Sequence, residues 1–173
     1  TRIDSHFIQY MEGKNPEVRF QRVDAEITDQ LIDKSTTSEI VDENNKTESD
    51  RLQEFFKNAI GREGLEIKVE SLKSGDVPAV VILPEHMRRI SEMNLGMNHD
   101  KGALLKMHTL LINSSSKLVK NAFRLSEGVN TDKAKLIAQH VYDLALISSK
   151  VMNEADMGNF LKRSSQILED LTN

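Results

Sequence analysis

Apolar and polar positions along the chain follow two periods, and where one gives way to the other marks the elements. Leu52, Phe55, Phe56, Ala59 and Ile60 recur at helical spacing behind Thr47-Glu48-Ser49-Asp50, any of which can start a helix. Gly61 closes that helix. Leu65, Ile67 and Val69 then alternate with charged residues, the pattern of a half-buried strand. The turn Ser74-Gly75-Asp76 and the run Pro78 to Leu83 predict a second strand, paired with the first as a hairpin. Pro84 opens a short helix from Glu85 to about Met97, and a Gly-containing loop spans Asn94 to Gly102. A third strand runs from Leu105 to Ile112, where Asn113 and Ser114 end it and cap a helix through Leu125. Asn130-Thr131 begins a long helix to about Met152, and Asn153 begins the last, to about Leu171. The fold class predicted is α+β, a small three-stranded sheet followed by helices, with no internal repeat.

Residues 35–50 interrupt this pattern. They are acidic and rich in Ser, Thr and Asn, with only Ile40 and Val41 able to bury, which reads as a linker. Ahead of it, residues 1–34 carry one helix, with Asp4 or Ser5 as cap, Phe7, Ile8 and Met11 on its apolar side and Gly13 as its stop. A turn at Asn15-Pro16 and a strand through Val18, Phe20 and Val23 follow. One helix and one strand cannot enclose a core, so this piece reads as the tail of a preceding domain, and residues 51–173 as the main domain. The chain opens on Thr1 without an initiator Met, as expected of a segment cut or excised from something longer.

Two helices carry more apolar surface than a small sheet requires. In the helix from Thr131, Asp132, Lys135, Gln139, Asp143 and Lys150 share one narrow polar strip. Leu136, Ile137, Val141, Leu144, Ala145 and Ile147 are among those filling most of the remaining circumference. The last helix adds Met157, Phe160, Leu161, Ile167, Leu168 and Leu171, with small Ser164 and Ser165 midway. Two such helices invite a second pair in a symmetric four-helix bundle; the alternative is that both cover their own sheet in a monomer. In the short helix, Met87, Ile90, Met93 and Met97 fall on one side. A methionine stripe serves either as core or as an adaptable binding surface.

Composition removes several classes of function. There is no cysteine, hence no disulfide, thiolate or cysteine metal site. Residues 35–50 account for the whole net charge of −4, and the balanced remainder lacks the basic excess of a nucleic-acid binder. No apolar run approaches the ~20 residues that span a bilayer. His6, His86, His99, His108 and His140 are scattered over different elements and predict no metal site. Gly61-Arg62-Glu63-Gly64 lacks the spacing and the Lys-Ser/Thr of a phosphate-binding loop. Ser114-Ser115-Ser116 reads as a cap, and Glu154 with Asp156 as dipole partners at a helix start. No catalytic, cofactor-binding or metal-ligating constellation emerges.

Four stretches resemble the carboxy-terminal end of the ninety-kilodalton heat-shock chaperone family, closest to the bacterial HtpG type. Residues 7–24 (FIQYMEGKNPEVRFQRVD) are similar to the end of its middle domain, and residues 83–93 (LPEHMRRISEM) to its C-terminal sheet and amphipathic helix. Residues 109–119 (TLLINSSSKLV) resemble its strand-Asn-helix junction, and residues 140–148 (HVYDLALIS) its dimer helix. The resemblance implies a C-terminal dimerisation domain preceded by a remnant of the middle domain. Its last two helices would form a four-helix bundle with a second copy through Ile137, Val141, Leu144, Ala145, Phe160, Leu161, Ser164 and Leu168. Met87, Ile90 and Met93 would contact unfolded client proteins. The ATP-binding domain is missing, so no cofactor is expected here, whereas the full-length protein would be an ATPase using ATP and magnesium. The ending Leu171-Thr172-Asn173 lacks the Met-Glu-Glu-Val-Asp tail, so tetratricopeptide-repeat co-chaperones are not expected. A bacterial cytoplasmic location is implied. The competing expectation is a monomeric α+β adaptor with no ATPase partner domain.

Overall fold

A computed structural model describes residues 7, 10–15, 17, 32–33, 46–84 and 108–172. They form an α+β fold in which helices pack on a three-stranded mixed sheet. In chain order the elements are α1 (Glu48–Ile60), β1 (Glu66–Glu70), β2 (Ala79–Ile82), β3 (Thr109–Asn113), α2 (Lys117–Ser126), α3 (Thr131–Ser148) and α4 (Glu154–Thr172). Residues 10–14 are also helical, so Gly13 lies inside that helix rather than closing it. The strand expected through Val18 to Val23 lies outside the described residues. So do Glu85 to Lys101 and the expected start of the third strand at Leu105.

α1 starts where its cap chemistry requires. Thr47 accepts from the Asp50 amide while Asp50 accepts from the Thr47 amide, a reciprocal capping box that satisfies two orphan donors. The last four residues of the expected linker are thus already helix or cap. At the other end Gly61, at φ 62°, occupies the left-handed position that ends the helix.

The sheet order is β1-β3-β2, with β3 parallel to β1 and antiparallel to β2. The expected hairpin between the first two strands does not form. β1 alternates with charge and suits an edge, whereas β3, Thr-Leu-Leu-Ile-Asn, is apolar on both faces and belongs in the centre. Leu110 and Ile112 lie in the core beside Ile67, Ala79 and Val81, and Leu111 is buried on the opposite face.

Asn113 is the last residue of β3 and not the helix cap expected. Its side-chain oxygen accepts from the amides of Leu72 and Ser115, and its amide donates to the carbonyls of Ser74 and Val77. One fully buried side chain thereby gathers the whole connection between β1 and β2 around the end of β3. That connection therefore wraps the strand instead of closing a two-stranded turn. Ser116 takes the N-cap position of α2, and Ser115 meets Ser71 through a hydroxyl–hydroxyl hydrogen bond of 2.6 Å.

α3 packs on β2, α1 and α2, with Ala134, Ala138, Val141, Tyr142, Ala145 and Leu146 turned inward. It ends at Ser148, short of the expected Met152. Lys150, at φ 58°, donates its amide to the Ile147 carbonyl, and Val151 donates to that of Leu146. This is the Schellman ending with lysine where glycine is usual. It turns Val151 and Met152 into the core as a reversal, not as helix. α4 then begins with Asn153 accepting from the Asp156 amide, as the sequence predicts.

Asn113→Ala should destabilise the fold by about 2–4 kcal/mol, since it strands two buried amides and two carbonyls. Urea unfolding followed by circular dichroism measures it, and an unchanged midpoint would show that the clasp does not hold the sheet.

Candidate functional site

α4 faces the wrong way for a helix that covers a core. None of its 19 residues is buried. Asp156, Arg163 and Asp170, seven residues apart, all point toward the rest of the chain. Asp156 pairs with Arg62 at 3.1 Å, Arg163 with Asp143 at 2.6 Å and Asp170 with Lys133 at 3.3 Å. Between these, Phe160 stacks on His140 with ring centroids 5.1 Å apart and packs against the core. The apolar side of α4 faces solvent. Met157, Leu161, Leu168 and Leu171 are exposed, the last three by 58%, 62% and 77%.

With Ser164, these four residues make a seam at spacings of four, three, four and three: Met157, Leu161, Ser164, Leu168, Leu171. That is the heptad pattern by which one helix receives the side chains of another. Ser164 sits at its middle, and its hydroxyl is buried without a hydrogen-bond partner among the described residues. At ~1.5 Å per residue the seam from Met157 to Leu171 is about 21 Å long, an exposed apolar row interrupted at its middle by half-buried Ser164. Leu144 of α3, next in sequence to Asp143, is exposed as well.

The eight residues expected at a dimer interface therefore divide. Leu144, Leu161 and Leu168 are exposed, and Ser164 is half-buried between them and the body. Ile137 and Phe160 are partly buried against the core. Val141 and Ala145 lie inside the chain's own core at 0% and 3% exposure, beyond reach of another chain without rearrangement. The polar strip expected on α3 is corrected too. Asp143 is buried beneath Arg163, and Gln139 donates to the Ala59 carbonyl while accepting from Arg163. Two of the five residues of that strip thus seat α4. The expected client residues Met87, Ile90 and Met93 lie outside the described residues.

A second polar chain joins four elements. Arg62, just beyond α1, donates to the Tyr142 hydroxyl at 2.7 Å as well as to Asp156. The Tyr142 hydroxyl lies 2.9 Å from Nε2 of buried His108, at the mouth of β3, and the two rings stack. Burial pushes the Tyr142 hydroxyl pKa up, with Arg62 opposing. The reading of Gly61 to Gly64 as a helix stop and turn missed Arg62, because nothing local marks a residue whose partners come from α3 and α4. The heptad interval of Asp156, Arg163 and Asp170 was visible in the chain.

Among the described residues, no group of three or more His, Asp or Glu side chains could hold a metal ion. No helix among them is long and apolar enough to cross a membrane. A cleft of about 450 Å³ between α1 and α2 is lined by Lys46, Arg51, Lys120 and Arg124 among others, with Phe123 beside them. Arg51 in it is already paired with Glu127. Comparison with protein-family models and with curated proteins finds no match to the chain.

Burial holds the His140 pKa below its ordinary value; Asp143 opposes this and Arg163 adds to it. An unfolded histidine therefore takes up protons first, near pH 6.5, while the folded one resists. The stability that neutral His140 contributes is complete above that pH and is lost as pH falls toward the lower folded value. Burial pushes Asp143 up, partly offset by Arg163, a cost that lies in the carboxylate range and acts in the opposite sense. Denaturation measured from about pH 5 to 7 should lose part of its slope in His140→Phe, which keeps the stacking without the titration. An identical slope in parent and variant would assign the pH dependence to other groups.

Proposed function

We propose that the chain is the C-terminal homodimerisation and client-contact domain of an ATP-dependent chaperone of the HtpG type. The observation that carries this reading is the exposed heptad seam of α4, set on a helix whose charged side is already used within the chain. An apolar row about 21 Å long is unfavourable in water and would be complementary to a second copy of itself about a two-fold axis. Leu144 of α3 extends the apolar surface, so two helices from each copy would make the bundle. Of the four stretches that resemble the chaperone family, residues 140–148 lie in α3, and that resemblance would give the dimer its role. Permanent pairing at this end holds two ATPase arms at high effective concentration, so that their closure becomes nearly intramolecular. The fragment itself would neither bind nor hydrolyse ATP by the family mechanism. Client proteins would meet apolar side chains, among them Met87, Ile90 and Met93, through weak adaptable contacts.

Light scattering across a concentration series tests the dimer. A mass twice 19.6 kDa that persists on dilution is expected. Leu168→Glu should reduce it to a monomer while leaving the melting temperature of the protomer nearly unchanged, since Leu168 touches little of its own chain. A parent that is monomeric at every concentration would favour the monomeric adaptor instead.

Replacing Met87 and Met93 by Ser should weaken capture of an unfolded client while the dimer and its stability stay intact. A loss of thermal stability would place those residues in the core.

A further inference from the structure

The seam of α4 is useful to a partner only if the helix is held at one angle, and apolar packing does little of that holding. α4 buries no residue, and Phe160 is its one side chain that packs against the core cluster. Three ion pairs fix it instead, one near each end and one in the middle. Of the outer two, Lys133–Asp170 is open to water, with side-chain exposures of 58% and 40%, while Arg62–Asp156 is half-buried at 30% and 22%. An exposed pair such as Lys133–Asp170 is screened and holds geometry loosely, and Arg62, which lies in the connection after α1, ties only the first turn of α4. The central pair differs. The Asp143 side chain is 4% exposed and that of Arg163 22%, and the guanidinium reaches one carboxylate oxygen through both Nε at 2.8 Å and Nη2 at 2.6 Å. Nη1 of the same guanidinium turns to Gln139. Arg163 thus contacts two residues one turn apart on α3, which fixes both rotation and height of α4 against it.

A buried ion pair adds little net stability, because desolvation offsets most of the attraction; geometric selection is its better-supported use. We infer that Arg163, acting through Asp143 and Gln139, is the positioning residue that presents the α4 seam to the second copy at a single angle. Arg163 itself lies off the seam, so its effect on the dimer runs through the orientation of α4. The inference rests on the dimer reading above.

The chain has no cysteine, so Lys162→Cys, exposed on α4 and away from the seam, gives one spin-label site per protomer. Electron–electron double resonance across the dimer should give one narrow distance in the otherwise unaltered chain. The double variant Asp143→Leu/Arg163→Met removes both charges together, so that neither is left buried alone. It should stay folded but broaden that distance into several populations, and raise the dimer dissociation constant about tenfold. Arg163→Lys keeps the charge without the fork and should fall between the two. Should the double variant not fold, Arg163→Gln, which keeps a donor to Asp143, gives the same readout. A narrow, unshifted distance in the variants of a dimeric parent would overturn the inference alone. A monomeric parent would overturn the dimer reading and this inference together.

Discussion

β3 must be covered on both faces, and that constraint orders the rest of the fold. Leu110 and Ile112 face one way and Leu111 the other, all three at 2% exposure or less. A strand so apolar is unstable at an edge, where one row of its amides and carbonyls would also be unpaired. It is therefore flanked by β1 and β2, and its open end is closed by Asn113. With one donor group and one acceptor group, that side chain serves four backbone partners, three in the connection between β1 and β2 and one, Ser115, just after β3. A buried polar group is tolerable when fully satisfied and costly when not. Asn113 meets that condition by accepting twice and donating twice. Once the sheet is fixed, α1 and α3 seat against β1 and β2, and the position of α3 decides where α4 can lie.

Two modes of attachment follow, and they differ in chemistry. α1, α2 and α3 are held by burial: Phe56, Val119, Val141 and Leu146 are wholly enclosed. α4 is held by charge, through partners on α3 and beyond α1. The reversal between α3 and α4 reflects the change. Lysine stands at the left-handed position of the turn, where a side chain costs roughly 1–2 kcal/mol, and the burial of Val151 and Met152 offsets it. The body of the domain thus ends at Met152, and α4 is laid on its outside with the apolar side away from it.

How much of this could be read from the chain depends on the range of the cause. Capping at Thr47, the stop at Gly61 and the start at Asn153 are local, and each stands where the residue types put it. The α+β class and the helix pair at the end follow from periodicity. The strand order did not, because two strands separated by Ser74-Gly75-Asp76 look like a hairpin until Asn113, distant in sequence, draws their connection around β3. Periodicity places Asp143 on a polar strip for a related reason. Its helical phase is polar, and only Arg163 of the next helix makes burial of that phase favourable. The resemblance puts Val141 and Ala145 at the interface, and a helix apolar on most of its circumference does not say which part its own sheet will take. The outward seam was within reach, since the spacing of Met157, Leu161, Ser164, Leu168 and Leu171 is written in the sequence.

The arrangement of α4 also weighs between the two readings of the chain. A monomeric adaptor whose last helices cover its own sheet would turn Leu161, Leu168 and Leu171 inward and leave Asp156, Arg163 and Asp170 to water. Burying three leucines contributes roughly 1.5–3 kcal/mol each, far more than exposed ion pairs return. The chain does the reverse. It forgoes that burial within the protomer and buries a carboxylate, Asp143, to seat the helix. Such a choice is unfavourable for an isolated protomer and favourable where a second surface completes the burial. On the proposed reading, self-association would supply that surface with the residues at hand, since a seam of alternating four and three can meet its own copy.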